Sequence, residues 1–227
     1  MRADAMLELR QLQAFYGPAQ ALFGIDLQMQ AGQMVVLQGL NGAGKSTLLK
    51  SVMGLEVSTL GQVRLLGVQG EMVDVGRWSS HQRARAGLGY VAEDRRLFTS
   101  LTVRDNLRVA GGARCADRMA WVLDRFALLK PMIDRRAGLM SGGEQQMLAV
   151  ARSLMTEPRL LLLDEPCEGI SPVLVDALVQ VLLDLRAEGL ALLVAEQNRV
   201  LMQSADRLLL LVAGKVRDSQ PGQPEAD

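Results

Sequence analysis

One histidine, two cysteines and an aromatic content of 4% are the scarcities that bound this 227-residue chain. Cys115 and Cys167 stand apart without metal-ligand spacing, so a reducing compartment rather than a disulfide scaffold is expected. With so few rings, aliphatic side chains must fill the core. No apolar run approaches the ~20 residues that a spanning helix needs. The most hydrophobic stretch, 208–213, is strand-sized. Residues 1–6 carry no signal-peptide h-region. Excess charge is missing too: 25 basic and 25 acidic residues cancel, which removes the broad basic footprint of a nucleic-acid binder. What is present is 49% hydrophobic and 22% charged residues, at a length suited to one large α/β domain with a small inserted lobe. If such a chain serves a membrane process, partners must supply the spans.

Against that background one stretch carries chemistry. Residues 39–47 (Gly39, Leu40, Asn41, Gly42, Ala43, Gly44, Lys45, Ser46, Thr47) have the form G-x-x-x-x-G-K-[ST]. An apolar run, 34–37, precedes them and a helix-like segment, 48–54, follows, so strand, glycine turn and helix start read in that order. Glycines let backbone N–H groups converge on a phosphate chain. The helix start adds unpaired donors and the positive end of its dipole. Lys45 can reach β- and γ-phosphates, and Ser46 can ligate Mg²⁺. An ordinary glycine turn is the bland alternative, and it has no need of the flanking strand and helix.

Short apolar segments at 7–12, 25–29, 34–37, 63–66 and 88–91 predict strands in the first part of the chain. Helices are predicted over 102–110, over 117–129 with Pro131 ending the run, and over 141–154. Strands and helices then alternate. Residues 160–163 and 190–195 read as strands buried on both faces, and 173–186 as a helix with Pro172 in its first turn. Residues 200–205 read as a short helix, and 208–212 with Val216 as a hairpin around Ala213 and Gly214. The polar tail from Ser219 has two prolines and is expected to fray.

The strand at 160–163 runs into Asp164, Glu165 and Pro166. This has the form of a Walker B strand, with Asp164 at the strand end where α/β ligands bind. Asp164 can hold Mg²⁺ through water, and Glu165 can accept a proton from an attacking water. A second glycine-rich turn, Ser141, Gly142, Gly143 and Glu144, opens a helix that does not follow the first loop, and so makes a second anion site. One chain has little use for two such sites on one triphosphate. Two chains facing head to tail can each cap the nucleotide held by the other.

Residues 139–146 resemble the ATP-binding cassette (ABC) signature motif, and with the two Walker motifs the resemblance to ABC ATPases runs from Leu7 to about Val216. It implies an α/β ABC ATPase cassette: a RecA-like P-loop core (7–94 and 157–216) with an antiparallel β-subdomain, an inserted helical subdomain (95–156) and a polar tail (217–227), all one domain. It implies ATP hydrolysis, with Mg²⁺, in a dimer that sandwiches two ATP molecules. On the same resemblance Tyr16 falls where adenine stacks, 169–172 at the loop that meets the partner ATPase, and Glu93 in the slot of the Q-loop glutamine, beside Ser46 and Asp164 at the metal. Gln197 stands in the slot of the switch histidine; an amide can bond the γ-phosphate or the attacking water but cannot shuttle a proton as imidazole does. His81 lies far from that slot.

Glu93 in E-x-R-R-x-F, the run Cys167-Glu-Gly-Ile-Ser-Pro172 and the triplet Glu196-Gln197-Asn198 together resemble one branch, the LivF-type second ATPase of branched-chain amino acid importers. That implies a peripheral subunit on the cytoplasmic face of the bacterial inner membrane. Its partners would be a second ATPase in a heterodimer (or homodimer), membrane permeases and, indirectly, a periplasmic solute-binding protein. Ala92, Asp94 and the polar tail depart from the branch, and urea and amide importers share much of the pattern. A catalytically weak regulatory subunit is the reading that Gln197 supports. A soluble ABC protein of translation or DNA repair is disfavoured by a single cassette without a basic patch.

Overall fold

Two long strands, β1 (Ala5–Tyr16) and β2 (Ala19–Gln30), open the chain as an antiparallel pair. They belong to a four-stranded sheet in the order β2-β1-β4-β5, with β4 at Ser58–Leu66 and β5 at Met72–Asp74. A second, six-stranded sheet has the order β10-β9-β3-β8-β7-β6. Its strands are β3 (Met34–Gln38), β6 (Leu88–Val91), β7 (Leu160–Asp164), β8 (Ala191–Ala195), β9 (Arg207–Val212) and β10 (Lys215–Ser219), all parallel except for the last hairpin. The computed structural model describes residues 5–111 and 115–219. The tail 220–227, expected to fray, lies outside the described residues.

The central strands are continuous apolar runs because both of their faces are covered. Leu161, Leu163, Leu192, Val194, Met34 and Val36 face one core, with α5 (Gly142–Leu154) and α6 (Pro172–Ala187). Their neighbours Leu160, Leu162, Leu193, Val35 and Leu37 face the other core, where α1 (Lys45–Met53) packs between this sheet and the β1–β2 sheet. The period-two switch along each strand sends successive side chains to opposite layers. Between β6 and β7 the chain is helical: α3 (Val103–Gly111), α4 (Cys115–Arg125), two 3-10 turns and α5. A short helix, α7 (Arg199–Gln203), precedes β9. Among the described residues no helix is long and apolar enough to cross a membrane.

Two departures from the sequence reading have local causes. The helix predicted over 117–129 stops at Arg125, because Phe126 leaves the helical region (φ −108°, ψ 57°) to bury its ring; a 3-10 turn, Ala127–Met132, carries Pro131 inside it. A helix that periodicity did not reveal, α2 (Ser80–Arg85), starts at a capping box in which Ser79 and Gln82 exchange side-chain and backbone bonds. It exists to deliver Arg83, only 2% exposed. Arg83 Nη1 donates to Ser51 O and Val52 O, both at 2.8 Å, and Nη2 donates to Gly76 O at 2.9 Å. A cation thus sits on the C-terminal carbonyls of α1, the helix that follows the P-loop, where the dipole favours it. Arg83→Leu is expected to lower unfolding stability by about 3 kcal/mol, because it orphans buried carbonyls held by a charged donor. A shift in the urea midpoint measures this; an unchanged midpoint would deny Arg83 the role.

Candidate nucleotide site

Residues 39–44 leave β3 and turn sharply into α1. Gly42 and Gly44 take φ of 81° and 107°, and a Cβ on Gly44 would lie 2.9 Å from Leu22 Cδ2. The β9–β10 turn closes over this loop: Gly214 N donates to Ala43 O at 3.0 Å, and Phe23 N donates to Gly214 O at 2.9 Å. Gly214 (φ 73°) has no room for a side chain, since a Cβ would meet Ala21 O at 2.2 Å.

A cavity of about 710 Å³ opens over the loop. Of the residues marked from sequence, Tyr16, Asn41, Gly42, Gly44, Lys45, Ser46, Thr47, Glu93 and Glu165 line it. Gly39 and Leu40 do not line it but turn their carbonyls to Lys45: Nζ donates to Gly39 O at 2.9 Å and to Leu40 O at 3.4 Å. Ala43 is buried under the turn. The Lys45 ammonium, 4% exposed, also lies 3.3 Å from Glu165 Oε1. Tyr16 is 43% exposed at the rim, with its hydroxyl 3.4 Å from Thr47 Oγ1. Gln197 reaches the loop from the end of β8 and donates through Nε2 to Asn41 Oδ1 at 3.0 Å. Glu165 holds a left-handed conformation (φ 47°), which a non-glycine residue adopts only when its surroundings impose it; its N–H donates to Ala195 O at 2.9 Å.

Asp164 ends β7 beneath the cavity, 2% exposed. Ser46 Oγ donates to its Oδ1 at 2.8 Å and the Tyr90 hydroxyl to its Oδ2 at 3.3 Å. Burial pushes the carboxyl of Asp164 above its ordinary range; the Ser46 and Tyr90 bonds oppose this, and the like charges of Glu93 and Glu165 add to it. Ser46, Glu93 and Asp164 line one smaller cavity of about 310 Å³. A buried carboxylate, a second carboxylate and a hydroxyl are hard oxygen donors, and this set fits a largely hydrated Mg²⁺.

Ser141, Gly142, Gly143 and Glu144 do not line this cavity. They form the N-terminus of α5, where Ser141 caps the helix. Glu144 N donates to Ser141 Oγ at 3.3 Å, and Ser141 N donates to Glu144 Oε2 at 2.7 Å. Arg95 braces this end of the helix, its Nε donating to Gln146 Oε1 at 3.1 Å. The sequence reading left several residues of the larger cavity's lining unmarked, among them Gln20, Phe23, Glu168 and Gly214, and also Tyr90 and Glu196, which hold Asp164 and the Cys167 turn. The Glu168 carboxyl is pushed up by a hydrogen bond to Glu165 and by that group's charge. Tyr90 lies in the G-Y-V run, and Glu196 in the E-Q-N triplet. Tyr90 meets Asp164, 74 residues on, and Glu196 accepts from Cys167 N–H, 29 residues back, as well as from its neighbours Gln197 and Asn198.

Comparison with known proteins agrees with this geometry. The ABC transporter family model matches residues 22–168. The high-affinity branched-chain amino acid transport ATP-binding protein BraG of Pseudomonas aeruginosa is 39% identical over 216 residues, which cover 93% of this chain and 91% of the relative. The probable branched-chain amino acid transport ATP-binding protein LivF of Archaeoglobus fulgidus is 36% identical over 93% of this chain and 90% of its own. Among solved structures, the dimeric post-hydrolysis state of the ATP-binding cassette MJ0796, bound to ADP and Pi, superposes with a TM-score of 0.82 at 22% identity, covering 95% of this chain and 98% of that one. The fold is therefore the ABC ATPase cassette expected from the motifs. The chain belongs to the ABC transporter family, as a nucleotide-binding, ATP-hydrolysing subunit of a membrane transporter.

Proposed function

We propose that this chain powers a bacterial importer of branched-chain, hydrophobic amino acids from the cytoplasmic face of the inner membrane. It would pair with a second, different ATPase and drive permease subunits fed by a periplasmic solute-binding protein. The support for the solute is likeness to BraG and LivF over 93% of the chain, together with the pattern of Glu93 and Gln197. The observation that carries the machinery is the convergence of Lys45, Ser46, Glu93 and Glu165 on one cavity while Ser141 to Glu144 stand outside it, free to meet a partner's nucleotide.

In this reading residues 7–94 and 157–216 are the nucleotide-binding core and 95–156 the helical subdomain. The backbone of residues 39–47 and Lys45 cradle the ATP phosphates, and Tyr16 stacks on adenine. Ser46, Asp164 and Glu93 would hold Mg²⁺, which would supply neutralisation of phosphate charge when bound. Phosphate oxygens compete with Glu165 for the Lys45 ammonium, and the released carboxylate is then placed to take a proton from the attacking water. The amide of Gln197 orients that water or the γ-phosphate. Glu93 sits where β6 leaves the core for the helical segment, so a shift at the γ-phosphate reaches that segment and, through it, the permease.

The test is reconstitution with permease subunits and a solute-binding protein of this importer class, followed by uptake of labelled leucine, isoleucine or valine. ATP-dependent accumulation of these, abolished by Glu165→Gln, is the expected result. Accumulation of urea or short amides instead would replace the solute assignment and leave the machine intact. Uptake with negligible hydrolysis by this subunit would favour the regulatory reading that Gln197 invites.

A further inference from the structure

Apart from Asp164, Glu196 is the most deeply buried carboxylate among the described residues, at 5% exposed, and the reaction as described gives it no part. It follows β8 directly and is anchored by its own N–H, which donates to Leu37 O at 3.1 Å, the last core position of β3 before the P-loop. Its side chain takes three backbone donors from two turns. Oε2 accepts Cys167 N–H at 2.9 Å, and Oε1 accepts the N–H groups of Gln197 at 2.8 Å and Asn198 at 3.0 Å. Cys167 belongs to the turn that begins at strained Glu165 and is closed by Glu168 N donating to Glu165 O at 3.1 Å. Gln197 carries the amide that reaches Asn41 in the P-loop.

A carboxylate is well suited to this place. A buried charge is costly unless its lone pairs are filled, and three N–H groups fill them with charge-assisted bonds. A neutral amide cannot do the same. However it is oriented, its NH₂ faces at least one N–H donor, so either the Cys167 turn or the Gln197–Asn198 turn loses its acceptor. The Cys167 thiol, pushed up by burial and by the adjacent Glu196 carboxylate, is an inert filler of the same pocket.

We infer that Glu196 is a positioning residue that clamps the Glu165 turn and the Gln197 turn to each other, fixing the water-activating carboxylate and the orienting amide as one unit. The inference rests on the reading of Glu165 and Gln197 given above. It gives a physical reason for glutamate beside glutamine in the triplet: Gln197 cannot relay a proton, so its contribution depends on where its amide is held.

The test compares Glu196→Gln and Glu196→Asp in the full chain, with steady-state hydrolysis and nucleotide binding. Glu196→Gln is expected to lower kcat by on the order of tenfold or more while KM for ATP stays within about twofold. Glu196→Asp keeps the charge at shorter reach and should restore part of the loss without changing KM. Equal losses in both variants, or a Glu196→Gln enzyme with wild-type kcat, would overturn the inference. Should either variant fail to fold, hydrogen exchange on the wild-type protein decides. The amides of Cys167, Gln197 and Asn198 should be protected together, like those at the ends of β7 and β8, and exchange at the rate of an open loop would overturn the clamp. Glu165→Gln separates the two readings. Normal hydrolysis there removes the general base; normal hydrolysis in Glu196→Gln, with Glu165→Gln inactive, removes only the clamp.

Discussion

Glu165→Gln is expected to bind ATP as tightly as the wild type or more tightly, and to turn it over on the order of 10²–10⁴ times more slowly, the span that a positioned general base contributes. The two halves of this expectation come from different contacts. Turnover falls because an amide cannot accept the proton of an attacking water. Binding holds or improves because Glu165 is paired with Lys45 at 3.3 Å, and phosphate oxygens must displace it to reach the ammonium. An amide is a weaker competitor. Nucleotide titration and single-turnover hydrolysis measure the two effects separately. Full hydrolysis by the variant would sink the base assignment, and a large loss of affinity would mean that Glu165 supports the P-loop rather than competing with ATP.

The parts of the site that were legible in the sequence are those whose chemistry is local. The P-loop declares itself because strand, glycine turn and helix start must be consecutive, and the structure has them at Met34–Gln38 and Lys45–Met53. The strand end at Asp164 was readable because the apolar run before it is buried on both faces, and β7 ends there. The helix expected to open at Ser141 is there, and the structure adds that Ser141 caps it in a capping box with Glu144.

Legibility fails where a side chain serves a distant partner. Arg83 caps a helix that ends thirty residues upstream, and nothing in the polar run 79–85 announces a buried cation. Tyr90 meets Asp164 only because β6 and β7 lie side by side in register, Tyr90 opposite Leu162. Glu196 has the same history. The triplet marked a branch of the family, yet its first residue acquires a role only when the turn at Cys167 is folded against it. The strand read at 7–12 extends to Tyr16, past a bulge at Gln11 (φ 47°), and that extension brings the ring to Thr47. Periodicity breaks at a bulge, so the pattern alone stopped short.

Lys45→Ala is expected to weaken ATP binding by about 3 kcal/mol, on the order of a hundredfold, because it removes a desolvated cation from the phosphate contact. The same change should lower stability without nucleotide far less. Lys45 satisfies the Gly39 and Leu40 carbonyls and Glu165, but Glu165 is 19% exposed and water can reach it, so a cost of about 1 kcal/mol is expected. A double-mutant cycle with Glu165→Gln tells these roles apart. In that background the stability cost should shrink, since no carboxylate is left without its cation, while the loss of ATP affinity should persist or grow, since Lys45 is no longer shared with Glu165. The opposite pattern, a stability cost that survives and an affinity loss that vanishes, would make Lys45 a strut of the loop and transfer phosphate recognition to the backbone N–H groups of residues 39–47. Equilibrium unfolding and nucleotide titration of the four proteins distinguish the two, and only the first pattern is compatible with a lysine that ATP draws away from the catalytic carboxylate.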